Sequence, residues 1–346
     1  MGRASYDPSH QKHKETKLRR TLLRAALAAL AAPALSALHV PAVAQAQPTP
    51  LPKPVRFVTA FPPGSGTDAL LRTMAPKLQR RWGLPVIVDN RPGGNGFIAI
   101  DAFKRGGGDE INLLLLDGLQ VVAYPHLFRK LPYDPAKDFE VLSPMLHAQF
   151  FVLVSAQSKY SSVGEILAAA KARSGKLNYG SWSVGNPVHL GTTELLARTG
   201  AQMEHIIYKD PNLMYTGVAS GELDFAMGTL SAVRVLCGRI KPLAVMSDKR
   251  YPGAPDVPTL AESGGPSGLE VSGWAMIVGP KGLPPALTER LRADVEAVLA
   301  DPDLKPIYLA SGYDPFVATP AQFAAFLASE SAKYADVVKK SGIRMD

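Results

Sequence analysis

Short apolar runs alternate with helix-like segments along most of the chain. The runs are apolar at consecutive positions, which is typical of strands buried on both faces of a sheet. Strands that alternate with helices at this spacing indicate an α/β fold with mostly parallel sheets. The predicted strands are residues 55–60, 85–89, 111–116, 150–154, 177–180, 204–207, 223–227, 242–246 and 271–278. The predicted helices are residues 67–81, 95–105, 162–171, 189–199, 284–300 and 320–340, with one more that begins at Asn212.

A glycine-rich turn separates the first predicted strand from the first predicted helix. This first loop consists of residues 61–68. The first turn of a helix presents backbone N–H groups without intrahelical partners, and the helix dipole favours negative charge there. No basic side chain lies between Thr59 and Leu71. The first loop therefore predicts that amides and hydroxyls bind a small anion, and its ligand candidates are Phe61, Gly64, Ser65, Gly66, Thr67 and Asp68.

Asp68 is the candidate of the first loop with the strongest structural alternative. Asp is a preferred residue at helix N-termini, where its side chain accepts hydrogen bonds from backbone N–H groups. A carboxylate that faced an anionic ligand would also repel it. A helix cap is therefore the favoured interpretation of Asp68, and a ligand contact is the alternative.

A second segment repeats the order of strand, serine- and glycine-containing loop, and helix. This second loop, residues 181–189, follows the predicted strand 177–180. Ligands of α/β sheets bind at the carboxyl ends of strands, so two such loops, one from each lobe, would face each other across a cleft. Trp182 either stacks on a flat ligand or packs within its lobe, and His189 either contacts the ligand or packs at its helix start. The candidates of this loop are Ser181, Trp182, Ser183, Asn186 and His189.

Three further candidates follow other predicted strands. Gly118 and Thr229 come just after the strands 111–116 and 223–227, so both should reach the rim of the cleft. Asp210 has two interpretations. It either points into the cleft, where it would bind a ligand amine or hydroxyl, or it caps the helix that begins after Pro211.

The positive charge of the chain is concentrated at its N-terminus. The formal net charge is +8, from 38 Lys and Arg residues against 30 Asp and Glu residues. Residues 1–46 hold seven of the basic residues and two of the acidic ones, so they account for five of the eight charges. The remaining charges are scattered and form no basic stripe, which argues against a nucleic-acid partner.

The first 46 residues have the features of an export signal. Basic residues at 17–24 precede an Ala- and Leu-rich run, and small residues follow, with cleavage expected after Ala44 or Ala46. The pair Arg19-Arg20 also fits a twin-arginine leader. A cleaved leader is favoured over a membrane anchor, because the apolar run is interrupted by Pro33 and ends in a Pro- and Gln-containing linker.

The chemistry-bearing residues do not form a recognisable catalytic or metal-binding pattern. The histidines are not at metal-ligand spacing, and Cys237, the single cysteine, has no Cys or His near it in sequence. The chain contains no Gly-x-Ser-x-Gly turn and no cofactor fingerprint. We therefore expect neither catalysis, nor a metal, nor a cofactor. A hydrolase that uses the glycine-rich loop remains the enzymatic alternative.

Several longer motifs resemble one known family, the Bug family of periplasmic solute receptors of tripartite tricarboxylate transporters. The resemblance runs from about residue 54 to the C-terminus. The motifs that carry it are the first loop 61–68, Asn90-Arg91-Pro92-Gly93-Gly94-Asn95-Gly96, the segments 130–139 and 175–181, Tyr208-Lys209, Gly221-Glu222-Leu223-Asp224, Pro255-Asp256-Val257-Pro258-Thr259 and Gly273-Trp274. Their number and order make the resemblance specific.

The resemblance implies a two-lobed Venus-flytrap receptor of the type II-like kind, with the ligand cleft between the lobes. Lobe 1 would consist of residues 48–153 and 272–346, and lobe 2 of residues 154–271. The first and second loops would hold a ligand carboxylate through backbone amides, hydroxyls and water. The receptor would work in the periplasm, as a monomer, and deliver the ligand to membrane permease subunits. A sensor that binds the same ligand and serves a signalling partner is the alternative.

The chain departs from the family pattern at positions that bear on the ligand. Trp182 stands where a small residue is usual, and Asp210-Pro211 replaces a Gly-Gly pair. These changes leave the fold prediction intact but leave the ligand open among a dicarboxylate, an amino acid and an aromatic acid. Trp182 favours an aromatic or bulky acid slightly.

Overall fold

The computed structural model describes residues 51–106, 108–172, 176–341 and 344–345. They belong to a compact unit that spans Thr49–Asp346. The predicted export signal, residues 1–46, lies outside the described residues, as does Gly175 of the motif segment 175–181. In the part of the chain that is described, no helix is long and apolar enough to cross a membrane.

Two β-sheets form the framework of the described chain. The first has the strand order β11-β4-β10-β3-β1-β2 and the second the order β7-β6-β8-β5-β9. The strands are β1 Val55–Thr59, β2 Val86–Asn90, β3 Ile111–Asp117, β4 Phe139–Gln149, β5 Phe151–Ser155, β6 Asn178–Ser181, β7 Glu204–Ile207, β8 Phe225–Gly228, β9 Ile240–Val245, β10 Ser272–Pro280 and β11 Tyr313–Pro315.

Helices connect the strands. They are α1 Gly66–Trp82, α2 Phe97–Arg105, α3 Leu119–Val122, α4 Tyr124–Leu127, α5 Pro135–Asp138, α6 Val163–Ala172, α7 Pro187–Thr199, α8 Pro211–Ser220, α9 Leu230–Val235, α10 Pro285–Leu299, α11 Lys305–Ser311 and α12 Pro320–Ser341. Short 3-10 turns lie at Gly94–Gly96 and Pro302–Leu304. The α/β fold expected from the sequence is therefore present, with most predicted elements within a few residues of their predicted bounds.

The sheets are mixed rather than mostly parallel. β1 pairs in parallel with β2 and β3, and β6 pairs in parallel with β7 and β8. In contrast, β10 runs antiparallel to β3 and β4, and β5 runs antiparallel to β8 and β9. The expectation of mostly parallel sheets was wrong for these strands, because an apolar run identifies a buried strand but not its direction or its neighbours.

The same local arrangement occurs once in each sheet. β1 is the central strand of a parallel triplet and leads through the first loop into α1, while β6 is central in the other triplet and leads through the second loop into α7. In both cases the loop leaves the carboxyl end of a strand that has parallel neighbours on both sides, which is the position where α/β sheets bind ligands.

The chain passes between the sheets twice at the ends of strands. β4 ends at Gln149 in the first sheet and β5 begins at Phe151 in the second, and the chain returns to the first sheet at β10. The first crossing therefore lies at Phe150, whereas the sequence placed it between residues 153 and 154. The reason is that β5 pairs along its whole length with strands of the second sheet. β10, which brings the chain back to the first sheet, begins at Ser272.

Both faces of each sheet are covered by apolar side chains. Phe57 and Val58 are adjacent in β1, fully buried, and belong to different clusters, because successive side chains of a strand point to opposite faces. Phe151 and Val152 do the same in the second sheet. Each lobe thus has its own apolar core on both faces of its sheet. The loops at the ends of the strands remain available to form the site.

We predict that Leu114→Ala destabilises the protein by about 2–5 kcal/mol, because the side chain is fully buried in the middle of the first sheet and its loss leaves a cavity. Leu213→Ala is the matched control. Leu213 is 60% exposed on α8, so its truncation should change the free energy of unfolding by less than about 0.5 kcal/mol. Chemical denaturation measures both, and similar losses for the two variants would contradict the placement of this core.

Candidate functional site

A cavity of about 530 Å³ is lined by residues of both sheets and their loops. One wall comes from the first loop, the end of β3 and the start of β10, and the other from Trp182 and the helices α8 and α9. The volume lies within the range of small-molecule sites. A site between two sheet-centred lobes is consistent with the cleft expected from the sequence.

The walls of the cavity are rich in aromatic side chains and poor in charge. Among the described residues of the lining, the only Asp, Glu, Lys or Arg residues are Asp117, Lys209 and Asp210. Apolar and aromatic walls with a few polar groups are typical of sites for small organic ligands. The aromatic members are Phe61, Tyr124, Phe150, Trp182, Tyr215, Trp274 and Tyr313.

The first loop is a tight turn that ends at a capped helix. Gly64 has φ +79°, which L-residues with side chains rarely adopt, and a Cβ there would meet no atom within 4 Å. Ser65 is the N-cap of α1, and its Oγ accepts a hydrogen bond from the Asp68 amide at 3.2 Å. The amides of Gly66 and Thr67 head the helix, where no preceding turn supplies an acceptor. Phe61, Gly64, Ser65 and Thr67 line the cavity.

Asp68 is turned into the protein rather than into the cavity. Its side chain is 4% exposed, and its carboxylate accepts hydrogen bonds from the Gly64 amide at 2.9 Å and from Asn90 Nδ2 at 2.8 Å. Arg72 Nε pairs with the same carboxylate at 3.0 Å. Asp68 therefore stabilises the turn through the Gly64 amide, while the N-cap of α1 is Ser65 rather than Asp68, and Asp68 is not among the lining residues.

Gly66 also serves packing. A Cβ at this position would lie 2.7 Å from Ser311 Oγ and 3.0 Å from the Tyr313 ring, so only glycine lets the start of α1 approach that segment. The cavity lining omits Gly66. Gly66, a ligand candidate of the first loop, is thus close to the protein's own segment 311–313.

A group of hydroxyls lies where the two walls meet. We call Thr67, Thr229, Ser231 and Tyr313 the hydroxyl cluster. Thr67 Oγ1 and the Tyr313 hydroxyl are 3.0 Å apart, and Thr229 Oγ1 and Ser231 Oγ are 2.7 Å apart. Burial raises the pKa of Tyr313, while hydrogen bonds with Thr67, Thr229 and Ser231 oppose that rise. All four residues line the cavity, so hydroxyls from both lobes converge at one place.

Most of the second loop lies outside the cavity lining. Ser181 Oγ donates to the Ser183 carbonyl at 3.0 Å and contacts His205 Nε2 at 2.7 Å. Asn186 is the N-cap of α7, where its Oδ1 accepts from the His189 amide at 2.7 Å. Ser183 Oγ and Asn186 Nδ2 are buried without a hydrogen-bond partner in the described structure. Of the candidates in this loop, Trp182 alone is in the lining, tilted against Phe150 at 6.0 Å between ring centroids.

Two stacked histidines, His189 and His205, support the second loop. The rings of His189 and His205 are 4.3 Å apart and nearly parallel, and Tyr179 stacks on the other side of His205 at 4.8 Å. His189 Nδ1 accepts from the Gly185 amide at 2.9 Å, so that nitrogen carries no proton. Burial and the neighbouring His189 lower the pKa of His205 to about 4, and burial lowers the pKa of His189. Both rings are therefore neutral near pH 7.

The remaining predicted residues differ in their relation to the cavity. Thr229 and Asp210 line it, and the Asp210 Oδ1 also accepts from the Asn212 amide at 2.7 Å as the N-cap of α8. Gly118 is not in the lining. A Cβ on Gly118 would lie 2.2 Å from the Trp274 ring, so this glycine makes room for Trp274, which does line the cavity.

Asp117 is a lining residue that the sequence analysis missed. It is the last residue of β3, and its Oδ1 accepts from the Leu119 amide at 2.9 Å. Burial raises the pKa of its carboxyl to about 6, and the hydrogen bond from Leu119 opposes that rise only in part. The sequence signal was available, because Asp117 precedes the predicted rim residue Gly118 at the carboxyl end of a buried strand.

Other missed residues reach the cavity from distant parts of the chain. Gln120, Lys209 and Ser231 lie within two residues of predicted candidates, so a local signal was present for them. The others are brought in by pairing or packing between elements far apart in sequence, and they are Tyr124, Phe150, Tyr215, Trp274 and Tyr313.

Comparison with known sequences matches this architecture to one family. The sequence profile of the tripartite tricarboxylate transporter family receptor, TctC, matches residues 70–343. The chain belongs to this family. It is a solute-binding receptor of that family, and the resemblance to Bug proteins seen in the sequence is confirmed. The matched family is one of receptors rather than enzymes.

Individual relatives cover most of the chain. Protein BugT of Bordetella pertussis is 30% identical over 298 residues, which are 85% of this chain and 90% of BugT. A UPF0065 protein from the tcbD–tcbE intergenic region of Pseudomonas sp. strain P51 is 30% identical over 73% of this chain and 75% of its own length.

Solved structures confirm the two-lobed fold. The periplasmic binding protein BugD superposes with a TM-score of 0.75 at 25% identity, over 86% of this chain and all of BugD. Rpa4515 of R. palustris, whose structure contains adipate, has a TM-score of 0.75 at 27% identity, over 84% of this chain and 98% of that one.

We predict that Asp68→Asn destabilises the protein by about 1–3 kcal/mol, because an amide group would face the donors that now bond to a buried carboxylate. The matched control is Asp101→Asn on α2. Asp101 is 54% exposed in its pair with Arg105, so its loss should cost less than about 1 kcal/mol. Equal costs in chemical denaturation would show that Asp68 does not hold the turn.

The lowered pKa values of His189 and His205 predict an acid-sensitive fold. The unfolded chain takes up protons near pH 6.5, whereas folded His205 does so only near pH 4, so stability should fall as the pH is lowered through that interval. Asp117, with its raised pKa, acts in the opposite direction between about pH 6 and 4. His205→Gln keeps a donor for Ser181 and should reduce the loss of stability at low pH, as measured by thermal unfolding at several pH values. His126→Gln is the control. An equal reduction in that variant would contradict the assignment to His205.

Proposed function

We propose that this receptor works in the periplasm, binds a small carboxylate-bearing ligand in the cavity between its lobes, and delivers it to the permease subunits of a tripartite tricarboxylate transporter. The observation that carries the proposal is the convergence of the hydroxyl cluster with the N-terminus of α1 at the cavity, in a chain that belongs to this receptor family. Export would use the leader expected in residues 1–46.

A carboxylate fits the donors at this end of the cavity. Ser65, Thr67, Thr229 and Tyr313 supply hydroxyls, and the first turn of α1 supplies amides and the positive end of a dipole. The hydroxyl cluster draws on both lobes, so a carboxylate bound there would bridge them. We therefore infer that the partner of the first loop across the cavity is the segment 229–231, with Trp182 as the contribution of the second loop.

The small number of basic side chains in the described lining favours a ligand with little negative charge. Lys209 is the one basic side chain among the described lining residues, and it is exposed. A site for phosphate or for a tricarboxylate commonly uses several Arg or Lys side chains. Donation by hydroxyls and amides alone suits a single carboxylate group at that end.

The walls behind the hydroxyl cluster favour an organic ligand of some bulk. Trp182 and Phe150 on one side and Trp274 on another present flat apolar surfaces to the same cavity. Stacking on such rings contributes about 0.5–1.5 kcal/mol beyond the burial of area. Relatives show that the fold accepts elongated acids, since Rpa4515 of R. palustris contains adipate. For this chain we propose an aromatic or similarly bulky carboxylate.

Ligand capture would involve closure of the lobes about the chain crossings. The chain crosses between the sheets at Phe150 and again near Ser272. Gly273 and Trp274, which directly follow the second crossing, line the cavity. A Cβ at Gly273 would lie 3.2 Å from the Phe150 ring, so the two crossings are packed together. Closure about adjacent crossings is a common mode of domain motion around a ligand.

A thermal-shift screen tests the proposal. Small carboxylates, including aromatic acids, amino acids and dicarboxylates, should contain members that raise the melting temperature of the purified protein, because a ligand that binds the folded state stabilises it. Calorimetric titration then gives their affinities. The absence of stabilisation by any carboxylate, combined with binding of an uncharged or cationic compound, would contradict the proposed ligand class.

Gly64→Leu should remove that binding. The substitution adds a side chain where the first loop lines the cavity. It should weaken binding of any carboxylate found in the screen by at least about tenfold. It should also cost roughly 1–2 kcal/mol of stability, because φ is +79°. Gly282→Leu is the matched control, since its φ is +88° with no atom near a Cβ, and it is not in the lining. Unchanged affinity of Gly64→Leu in titration would refute the role of the first loop.

A further inference from the structure

Asp117 is an acid without a counter-charge in a site for an anion. Asp117 lines the cavity at the end of β3, and in the described structure its carboxylate accepts a hydrogen bond from the Leu119 amide. No Lys or Arg contributes to its electrostatic environment in the described structure. Asp117 is half-buried, and a carboxylate held partly out of water without a cation costs free energy, which a ligand of opposite charge would recover.

The surroundings of Asp117 offer further acceptors. Gln120 is 5% exposed and lines the cavity one helical turn away, and its Oε1 has no hydrogen-bond partner in the described structure. Its Nε2 already donates to the Asn95 carbonyl at 3.3 Å. This end of the cavity, which we call the acceptor end, therefore presents a carboxylate with one described donor, next to a buried amide oxygen that has none.

The neighbouring tyrosines do not balance the charge. Tyr124 and Tyr334 lie close enough for the Asp117 charge to raise their pKa, in addition to the larger effect of burial, so both hydroxyls stay neutral. Lys209 is the cation of the lining, and it is exposed and adjacent in sequence to Asp210. The charged groups of the lining thus sum to one negative charge before a ligand enters.

We propose that the ligand carries a protonated amine as well as a carboxylate, and that Asp117 binds the amine at the acceptor end while the hydroxyl cluster binds the carboxylate. This inference rests on the proposed function and narrows its ligand class to zwitterionic acids. Asp117 is then a specificity-determining residue, because it repels acids that have a second carboxylate at that place and attracts those that have an ammonium group.

The geometry favours an amine over a hydroxyl. The Asp117 carboxylate accepts one described hydrogen bond and has lone pairs for more, and a protonated amine brings three donors where a hydroxyl brings one. Hydrogen bonds to an ionised group are about twice as strong as those between neutral groups, and an amine adds a positive charge to them. An amine would therefore satisfy the carboxylate and neutralise its charge, whereas a hydroxyl would leave the charge in place.

Matched ligand pairs test the proposal on the purified protein. The pairs are phenylalanine and 3-phenylpropanoate, tryptophan and indole-3-propanoate, and aspartate and succinate, with phenyllactate and malate as hydroxyl analogues. Calorimetric titration should show that the amine-bearing member of at least one pair binds at least about tenfold more tightly than its amine-free partner.

Asp117→Asn keeps the shape of the side chain and removes its charge. It should weaken binding of the amine-bearing ligand by at least about tenfold and leave the amine-free acid unchanged or more tightly bound. Asp101→Asn is the control at an exposed site away from the cavity, and it should leave both affinities as they are. A circular-dichroism melt checks that each variant is folded.

The outcomes separate this inference from the proposed function. Amine-free acids that bind as tightly as their amine-bearing partners, with an unchanged affinity in Asp117→Asn, would overturn the inference and leave the carboxylate receptor intact. Tightest binding by the hydroxyl analogues would also overturn it and would assign Asp117 to a hydroxyl. If none of these carboxylates binds, the proposed function fails and the inference fails with it.

Discussion

The buried carboxylate of Asp68 is the contact on which the first loop depends. It bonds to the Gly64 amide in front of the helix, to Arg72 one turn along it, and to Asn90 at the end of the next strand. A single side chain thereby joins the turn, the helix and the sheet. Because these groups are hydrogen-bonded to Asp68, the groups that the turn presents to the cavity are the amides at the start of α1 and the hydroxyls of Ser65 and Thr67. The loop can therefore present donors to an anion because the Asp68 carboxylate, outside the cavity lining, orders the turn.

The second strand–loop–helix unit is held in a different way. There the turn is supported by Asn186 and by His189, whose ring accepts the Gly185 amide and stacks on His205. The supports are neutral histidine rings and an amide, so the charge on this support changes when the pH falls far enough to protonate the rings. The loop also turns most of its polar groups inward, and Trp182 is what it presents to the cavity. Two units of the same topology therefore supply different chemistry, donors from one and a flat apolar surface from the other.

Local patterns predicted the local features of this protein and missed those made by distant pairing. The first loop, the strands of both parallel triplets and the long helices follow from apolar runs, glycines and caps near one another in sequence. β4 was missed because Ser143, Pro144 and His147 interrupt its apolar pattern, although it pairs with β10 along its length. Trp274 reaches the cavity because β10 lies beside β3, with Ala275 opposite Asp117. Neither the antiparallel pairing nor the resulting neighbours can be inferred from the spacing of residues.

Placing an uncompensated acid in an anion site has an energetic consequence for the ligand. Two like charges held in the same cavity repel each other more strongly than they would in water, which would oppose the gain from a few hydroxyl donors. An acid at Asp117 is therefore unfavourable for a simple anion, unless that end of the ligand brings a positive charge or the Asp117 carboxyl takes up a proton. Its pKa of about 6 reflects the same unfavourable charge in the unliganded cavity. A ligand amine removes the repulsion and the burial penalty together, which is why one residue can define a ligand class.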